Sequence, residues 1–414
     1  MRRSLLFISI LSSLFSAAQS GGRDVDLTAG DGAKLKATFY PAAANSKPAP
    51  AVMLLHMCNT NRKSWAPVAE QLSAAGINAF AMDNRGFGES GGPPHEAASL
   101  EEQQQTVAKW PEDFDAGFAW MLAQPGVDRN RVGAGGGSCG VINAVKLASR
   151  HHEIRSLVLL AGSSDTAGLK YLQENAWIPL FTAAAADDEY DSDAPQIMRW
   201  FAEFTGNPRN RFAGFQNGRH GTEIFGPHPE LAKQIVEFYQ DTLVKNPASK
   251  SSTFIPKKND ASRFWAAASE PGGAQTAVQM FHAARKRDAQ AFLFPEFMLN
   301  QLAYERLQRA GINMGGEAPD SSAPVGLPPT AIAQAKAEAL TLFKLIVEAY
   351  PASANAQDSL ADGYLANGQT GEAIAAEQQC LELLPGDKSN EEFKKQLRQA
   401  AEEKLAKLRR SAGL

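Results

Sequence analysis

The sequence predicts an α/β fold class, a doubly wound, mostly parallel sheet followed by an all-α helical-repeat region. Strand and helix signals alternate from about residue 51 to 245, and only helical periodicity appears from Ala274 onward. Right-handed crossovers would stack the alternating units into one sheet covered on both faces. Hydrophobic residues make up 44% of the 414 positions and charged ones 21%, enough apolar material for sizeable cores. A net charge of -4, with no dense Lys/Arg run, argues against a nucleic-acid partner.

Taken in order, the chain opens on Arg2 and Arg3, a short apolar run from Leu5 to Phe15, and the small residues of Ala18-Gln19-Ser20. That is a secretory signal pattern over residues 1–20, and it implies a secreted or periplasmic protein. The run is too short to span a bilayer and no second long apolar run follows, so no membrane span is expected. Val25, Leu27, Leu35, Ala37 and Phe39 alternate around Asp31-Gly32, a hairpin signal. Ala51 to Leu55 reads as a strand buried on both faces, ending at His56. A helix over Ser64 to Ala75 shows Trp65, Val68, Ala69 and Leu72 on one face, and Gly76 stops it. Ile77 to Met82 is the next strand, before the Gly-rich loop Asp83 to Gly92. Helices follow over Trp110 to Leu122 and Val141 to Ser149, flanking a strand at Arg131 to Ala134. Ser156 to Ala161, Pro179 to Ala184 and Phe212 to Phe215 are further strands, and the helix Pro229 to Leu243 closes the unit. The resulting domains are 21–246 for the α/β unit, a Ser/Lys/Pro-rich linker at 247–268, and a helical region at 269–414.

The segment Gly136-Gly137-Ser138-Cys139-Gly140 fits G-x-S-x-G between a strand and a helix, the context of a nucleophile elbow. The turn exposes the Ser138 hydroxyl, and the helix behind it supplies N–H groups for a developing oxyanion. A hydroxyl nucleophile needs a base, and the base needs an orienting acid. After Ser138 come Asp187-Asp188-Glu189, past one strand, and Arg219-His220-Gly221, past the next. Open α/β sheets hold their ligands beyond the carboxyl ends of the strands. Asp188 is therefore assigned as the acid and His220 as the base, with Asp187 and Asp191 as alternatives for the acid.

On these residues residues 24–245 resemble the α/β-hydrolase superfamily, and within it the dienelactone hydrolase-like branch. Leu54-Leu55-His56 is similar to the family's strand end before the oxyanion loop, and Asp83 to Ser90 (DNRGFGES) to its D-x-R-G-x-G-x-S loop. Pro179 to Asp188 looks like the strand ending in the triad acid, and His220-Gly221 matches the triad histidine followed by glycine. The resemblance implies oxyanion donors at the backbone N–H of Cys139 and of Cys58 or Met57. Two positions depart from the branch: its usual nucleophile is cysteine where Ser138 stands, and a glycine stands where this chain has Met57. If both oxyanion segments meet across the site, Cys58 and Cys139 are either disulfide-bonded or two small buried thiols. A short connection between Ala161 and Pro179, where the family often inserts a lid, predicts an open cleft. Leu172, Trp177 and Phe225 are candidates for its walls or for plain core.

Other features read as structure. His56 holds the loop after its strand, and His151 and His152 suit a helix end. Gly133 to Gly140 lacks the Lys-Ser/Thr ending of a phosphate loop. Asp187, Asp191 and Asp193 lack the glycine and terminal glutamate of an EF-hand loop. No metal or cofactor is called for.

In the tail, Leu360, Ala361, Tyr364, Gly368, Ala373, Cys380 and Pro385 resemble a tetratricopeptide repeat, and Ala339, Phe343, Ile346 and Pro351 give part of an earlier one. Met314 to Pro329 would be an inserted loop, and Phe393 to Leu408 a polar capping helix. The region is either a protein-docking surface or a stabilising, self-associating appendage. The expected function is hydrolysis of a small-molecule ester or lactone by a Ser-His-Asp triad. The alternatives are a serine peptidase of the prolyl-oligopeptidase-like kind and a non-catalytic scaffold that binds proteins through its tail.

Overall fold

The computed structural model describes residues 21–43, 47–251, 253–313 and 327–412. The expected leader and most of the expected 314–329 loop lie outside the described residues. The strands are β1 (Arg23–Thr28), β2 (Lys34–Tyr40), β3 (Ala49–Leu55), β4 (Asn78–Met82), β5 (Val127–Gly137), β6 (Ile154–Leu160), β7 (Leu180–Ala185) and β8 (Arg211–Phe215). They form an 8-stranded sheet in the order β1-β2-β4-β3-β5-β6-β7-β8. The β1–β2 and β2–β4 pairs are antiparallel, and all the others are parallel.

Helices cover both faces, as a parallel sheet requires. They are α1 (Ala66–Ala74), α2 (Leu100–Val107), α3 (Trp110–Leu122), α4 (Cys139–Arg150), α5 (Thr166–Glu174), α6 (Ala194–Phe204) and α7 (Glu230–Tyr239). Alternation along the central strands feeds two cores. Met53, Leu55, Phe80 and Met82 pack with α3 to α6, whereas Val52, Leu54, Ala79 and Ala81 pack with α1 and α7. Three of these helices, α2, α5 and α6, are absent from the reading of the sequence. Their start signals are present: a Ser99/Glu102 capping box, the Asp165 cap, and Pro195 in the first turn of α6.

Behind the sheet lie α8 (Asp260–Ser269), α9 (Ala274–Arg287), α10 (Glu296–Arg309), α11 (Pro329–Ala349), α12 (Ala354–Ala366), α13 (Thr370–Leu383) and α14 (Glu391–Ala412). The expected linker, 247–268, is therefore corrected: its second half is helical. An Asn259/Ser262 capping box starts α8, and burial of Phe264 and Trp265 holds it. The Trp265 ring meets Trp200 and Phe204 of α6, with Trp200 and Trp265 at 6.0 Å between centroids, so one core runs from the sheet into the helical region. Gln173 donates to the Ser262 carbonyl and Thr166 to Glu305, tying α5 to α8 and α10.

Farther along, Lys404 of α14 reaches Asp358, Asp362 and Glu377 at 2.7–2.9 Å. Burial pushes the Glu377 carboxyl up to about 8. For Lys404 burial works against the charge, but the three carboxylates outweigh it and hold the ammonium protonated. Removing one member of a buried charge cluster strands the others. Lys404→Met is expected to cost about 2–4 kcal/mol in urea unfolding, with the region's helices the first to melt.

Candidate active site

Ser138 stands between the end of β5 and the start of α4 at φ 52° and ψ -123°, a conformation that L-residues other than glycine rarely adopt. Its neighbours allow the turn by being small. A Cβ on Gly136 would come within 1.9 Å of the Gly140 carbonyl oxygen, and one on Gly140 within 2.4 Å of the Leu55 oxygen. On the far side, a Cβ on Gly162 would meet the Ser138 oxygen at 2.5 Å. The Ser138 N–H is spent on the Leu160 carbonyl at 2.9 Å, so the turn is fastened to β6. The serine thus stands at the carboxyl end of the sheet, on the first turn of α4 with its unpaired N–H groups.

Asp188 lies just past β7. One carboxylate oxygen accepts the N–H groups of Tyr190 (2.9 Å) and Asp191 (3.1 Å), and the other pairs with His220 Nδ1 at 2.8 Å. A carboxylate at Nδ1 places the ring proton there and leaves Nε2 as the basic nitrogen. The two alternative acids do other work: Asp187 accepts the Arg219 N–H, and Asp191 accepts the Asp193 N–H. Ser138 and His220 line one cleft of about 330 Å³. The Tyr190 ring lies 4.6 Å from the His220 ring, and its hydroxyl accepts from Asn59 at 3.3 Å, spanning from the acid loop to the loop after β3.

That loop carries the expected oxyanion segment. Cys58 and Cys139 are joined by a disulfide, which resolves the open choice between a bridge and free thiols. Cys380 is the free buried thiol among the described residues. Met57, where the resemblance leads one to expect glycine, turns its side chain into the core. Its sulfur accepts the Thr222 N–H at 3.2 Å and lies where a Cβ on Gly221 would come within 2.3 Å. Met57 therefore fills the space beneath the His220–Gly221 turn. His56 is fully buried: Nδ1 donates to the Met57 carbonyl at 2.6 Å, and Nε2 accepts the Asn84 N–H at 2.9 Å. Burial lowers its pKa, against the pull of the Met57 carbonyl. His56 is a neutral brace for the loop, as the sequence suggests.

The Asp83–Ser90 loop is structural too. Asp83 accepts from the Arg62 side chain (2.5 Å), the Arg62 N–H (2.7 Å) and the Glu89 N–H (2.8 Å), while Arg85 bridges Asp31 and Asp113. A Cβ on Gly88 would strike the Asp83 carboxylate at 2.4 Å, which explains the glycine.

The cleft has a mouth, where Phe297 and Tyr190 remain exposed, but also an outer wall from Ala194 and Ile197 of α6 and from Pro295, Phe297 and Met298 around the start of α10. Leu172 and Phe225 are buried in the two different cores, Trp177 packs against the one that holds Leu172, and none of the three lines the cleft. A short connection after β6 could not reveal a wall contributed from more than a hundred residues downstream.

Sheet order, elbow and paired Asp188–His220 define an α/β-hydrolase fold. Residues 46–212 match the family model described as serine aminopeptidase, S33. Over 136 residues the chain is 28% identical to a thiohydrolase of Aspergillus aculeatus, covering 33% of this chain and 40% of that protein. Among solved structures it is similar to a Pyrococcus furiosus esterase (22% identity, 54% of this chain and 93% of that one, TM-score 0.42). It is also similar to a Pyrococcus horikoshii acylaminoacyl peptidase (14%, 57% and 43%, TM-score 0.42). The chain thus spans about two fifths of the curated relative it matches. Its fold is that of the α/β hydrolases, followed by an all-helical C-terminal region.

Two predictions come from the loop after β3. Because His56 is held neutral in the fold, the unfolded chain binds the extra proton, and stability falls as pH drops below about 6.5. Melting temperatures of wild type and His56→Gln between pH 7.5 and 5 should show a steeper acid loss in the wild type. The double variant Cys58→Ala/Cys139→Ala should lose about 2–4 kcal/mol in unfolding. Non-reduced peptide mapping of the wild type should recover the two cysteines as one linked peptide.

Proposed function

We propose that the protein is an exported serine hydrolase of carboxylic esters or lactones, related to the dienelactone hydrolase-like branch. The carrying observation is the Asp188–His220 hydrogen bond in the same cleft as Ser138 on its strained turn. Ser138 Oγ attacks the carbonyl carbon while His220 Nε2 takes its proton. The oxyanion is held by the backbone N–H groups of Cys139 and of Cys58 or Met57. The carbon–oxygen bond to the leaving group breaks, and His220 protonates the departing alkoxide. Water, deprotonated by His220, then releases the acid and restores Ser138. Asp188 orients His220 and stabilises its imidazolium. No metal or cofactor takes part. Export rests on the leader pattern and agrees with a disulfide beside the site. The α11 to α13 helices are read as tetratricopeptide-like, a surface for a protein partner or for self-association.

A peptidase activity is the second reading, favoured by the serine aminopeptidase description of the matching family model. Hydrolysis of p-nitrophenyl butyrate and of alanine p-nitroanilide separates the two. The ester should turn over and the anilide should not. Ser138→Ala should abolish both turnover and fluorophosphonate labelling, and Asp188→Asn should lower kcat on the order of 10⁴-fold. An unlabelled wild type would return the protein to the scaffold reading.

A further inference from the structure

The cleft that holds Ser138 and His220 is completed by the helical region. At its mouth, Phe297 of α10 is 57% exposed and Tyr190 of the acid loop 55%, two large side chains left partly open beside the triad. Between them the wall is apolar: Ile142, Ala194, Ile197, Pro295 and Met298. The described residues lining the cleft include no lysine or arginine, and the charged side chain among them is the acid Asp191, alongside His220.

The start of α10 is held from both sides. Trp200 of α6 donates its indole N–H to the Leu293 carbonyl at 2.9 Å, and Tyr350, just past α11, donates its hydroxyl to the Phe294 carbonyl at 2.6 Å. The Phe294 ring stacks on Phe264 at 4.9 Å. Two residues farther on, Glu296 accepts from Ser353 (2.8 Å) and Asn355 (3.0 Å) of the helical region. Residues 293–296 are therefore fixed to both the sheet domain and the helices behind it, and Phe297 and Met298 are presented to the cleft on a rigid support. A fixed wall selects by shape more sharply than a mobile loop.

We propose that the helical region is part of the catalytic unit, with Phe297 and Met298 as specificity-determining residues that select an uncharged, mainly apolar group beside the scissile bond. This rests on the serine-hydrolase reading above. An apolar wall gains free energy from each buried methylene. A substrate carboxylate entering it would lose water, find no cation, and face Asp191. The volume, about 330 Å³, sits at the small end of ligand sites and suits a compact group.

The test uses the full mature chain with two p-nitrophenyl ester sets: acyl chains from acetyl to decanoyl, and the monosuccinyl ester beside its uncharged pentanoyl counterpart. A matching set of butyrate esters of longer alcohols covers the other side of the bond. Wild type should prefer short to medium apolar groups and disfavour the succinyl ester by about 100-fold or more in kcat/KM. Phe297→Ala should move the optimum to longer groups, and Phe297→Trp to shorter ones, by about tenfold in relative kcat/KM in the acyl or the alcohol series. Phe297→Arg should recover about tenfold of the succinyl discrimination. Phe297 is half exposed, so these variants should fold; unchanged melting temperatures establish it. If wild type labels with fluorophosphonate and turns over esters, but all three variants keep its profile in both series, the proposal is overturned while the serine-hydrolase reading stands. A wild type that neither labels nor turns over overturns both.

Discussion

The close approach of α4 to β3 and β5 is the constraint on which the rest of the site depends. At Gly136 and Gly140 the backbones meet with no room for a side chain, and Ser138 is bent to positive φ between them. Strain of this kind persists only where the surroundings over-determine it. Here they do: the Ser138 N–H is bound to β6, and the neighbouring residue is joined by a disulfide to the loop after β3. The turn therefore lifts one hydroxyl out at the carboxyl end of the sheet, with helix N–H groups behind it.

Around this turn, conserving position costs several buried polar arrangements that do no chemistry. His56 spans Met57 and Asn84, and Asp83 gathers three donors, two of them from Arg62. Their common effect is to fix the loop that faces the elbow. Met57 extends the same support to the opposite side, since its sulfur packs under Gly221 and takes the Thr222 N–H. Met57 thus becomes a strut between the loop after β3 and the histidine turn.

Much of the sheet was legible because its signals are local. The apolar runs at Ala51 to Leu55 and Ser156 to Ala161, the Gly-rich elbow, and the order Ser138, Asp188, His220 all stand in short stretches of sequence. Asp188 was separable from Asp187 and Asp191 only by position past the strand; the hydrogen bond to His220 distinguishes it. The helix α5 is short, with Asp165 marking its start, whereas α6 was legible in principle: Ala194, Ile197, Met198, Phe201 and Phe204 recur at helical spacing behind Pro195. The stretch before Phe264 reads as linker on its Ser, Lys and Pro content, yet the helix that follows is held by aromatic packing against α6.

By itself the sequence determined the class of fold, the strained turn and the residue types that meet at it, since periodicity, glycine and capping preferences act over a few neighbouring residues. Only the tertiary structure decided which acid reaches His220, that Cys58 and Cys139 are joined, and that Phe297 and Met298 line the cleft. Those outcomes depend on contacts between segments far apart in the chain. Their distances are set by the packing of helices on the sheet, for which no local pattern of residues provides a measure.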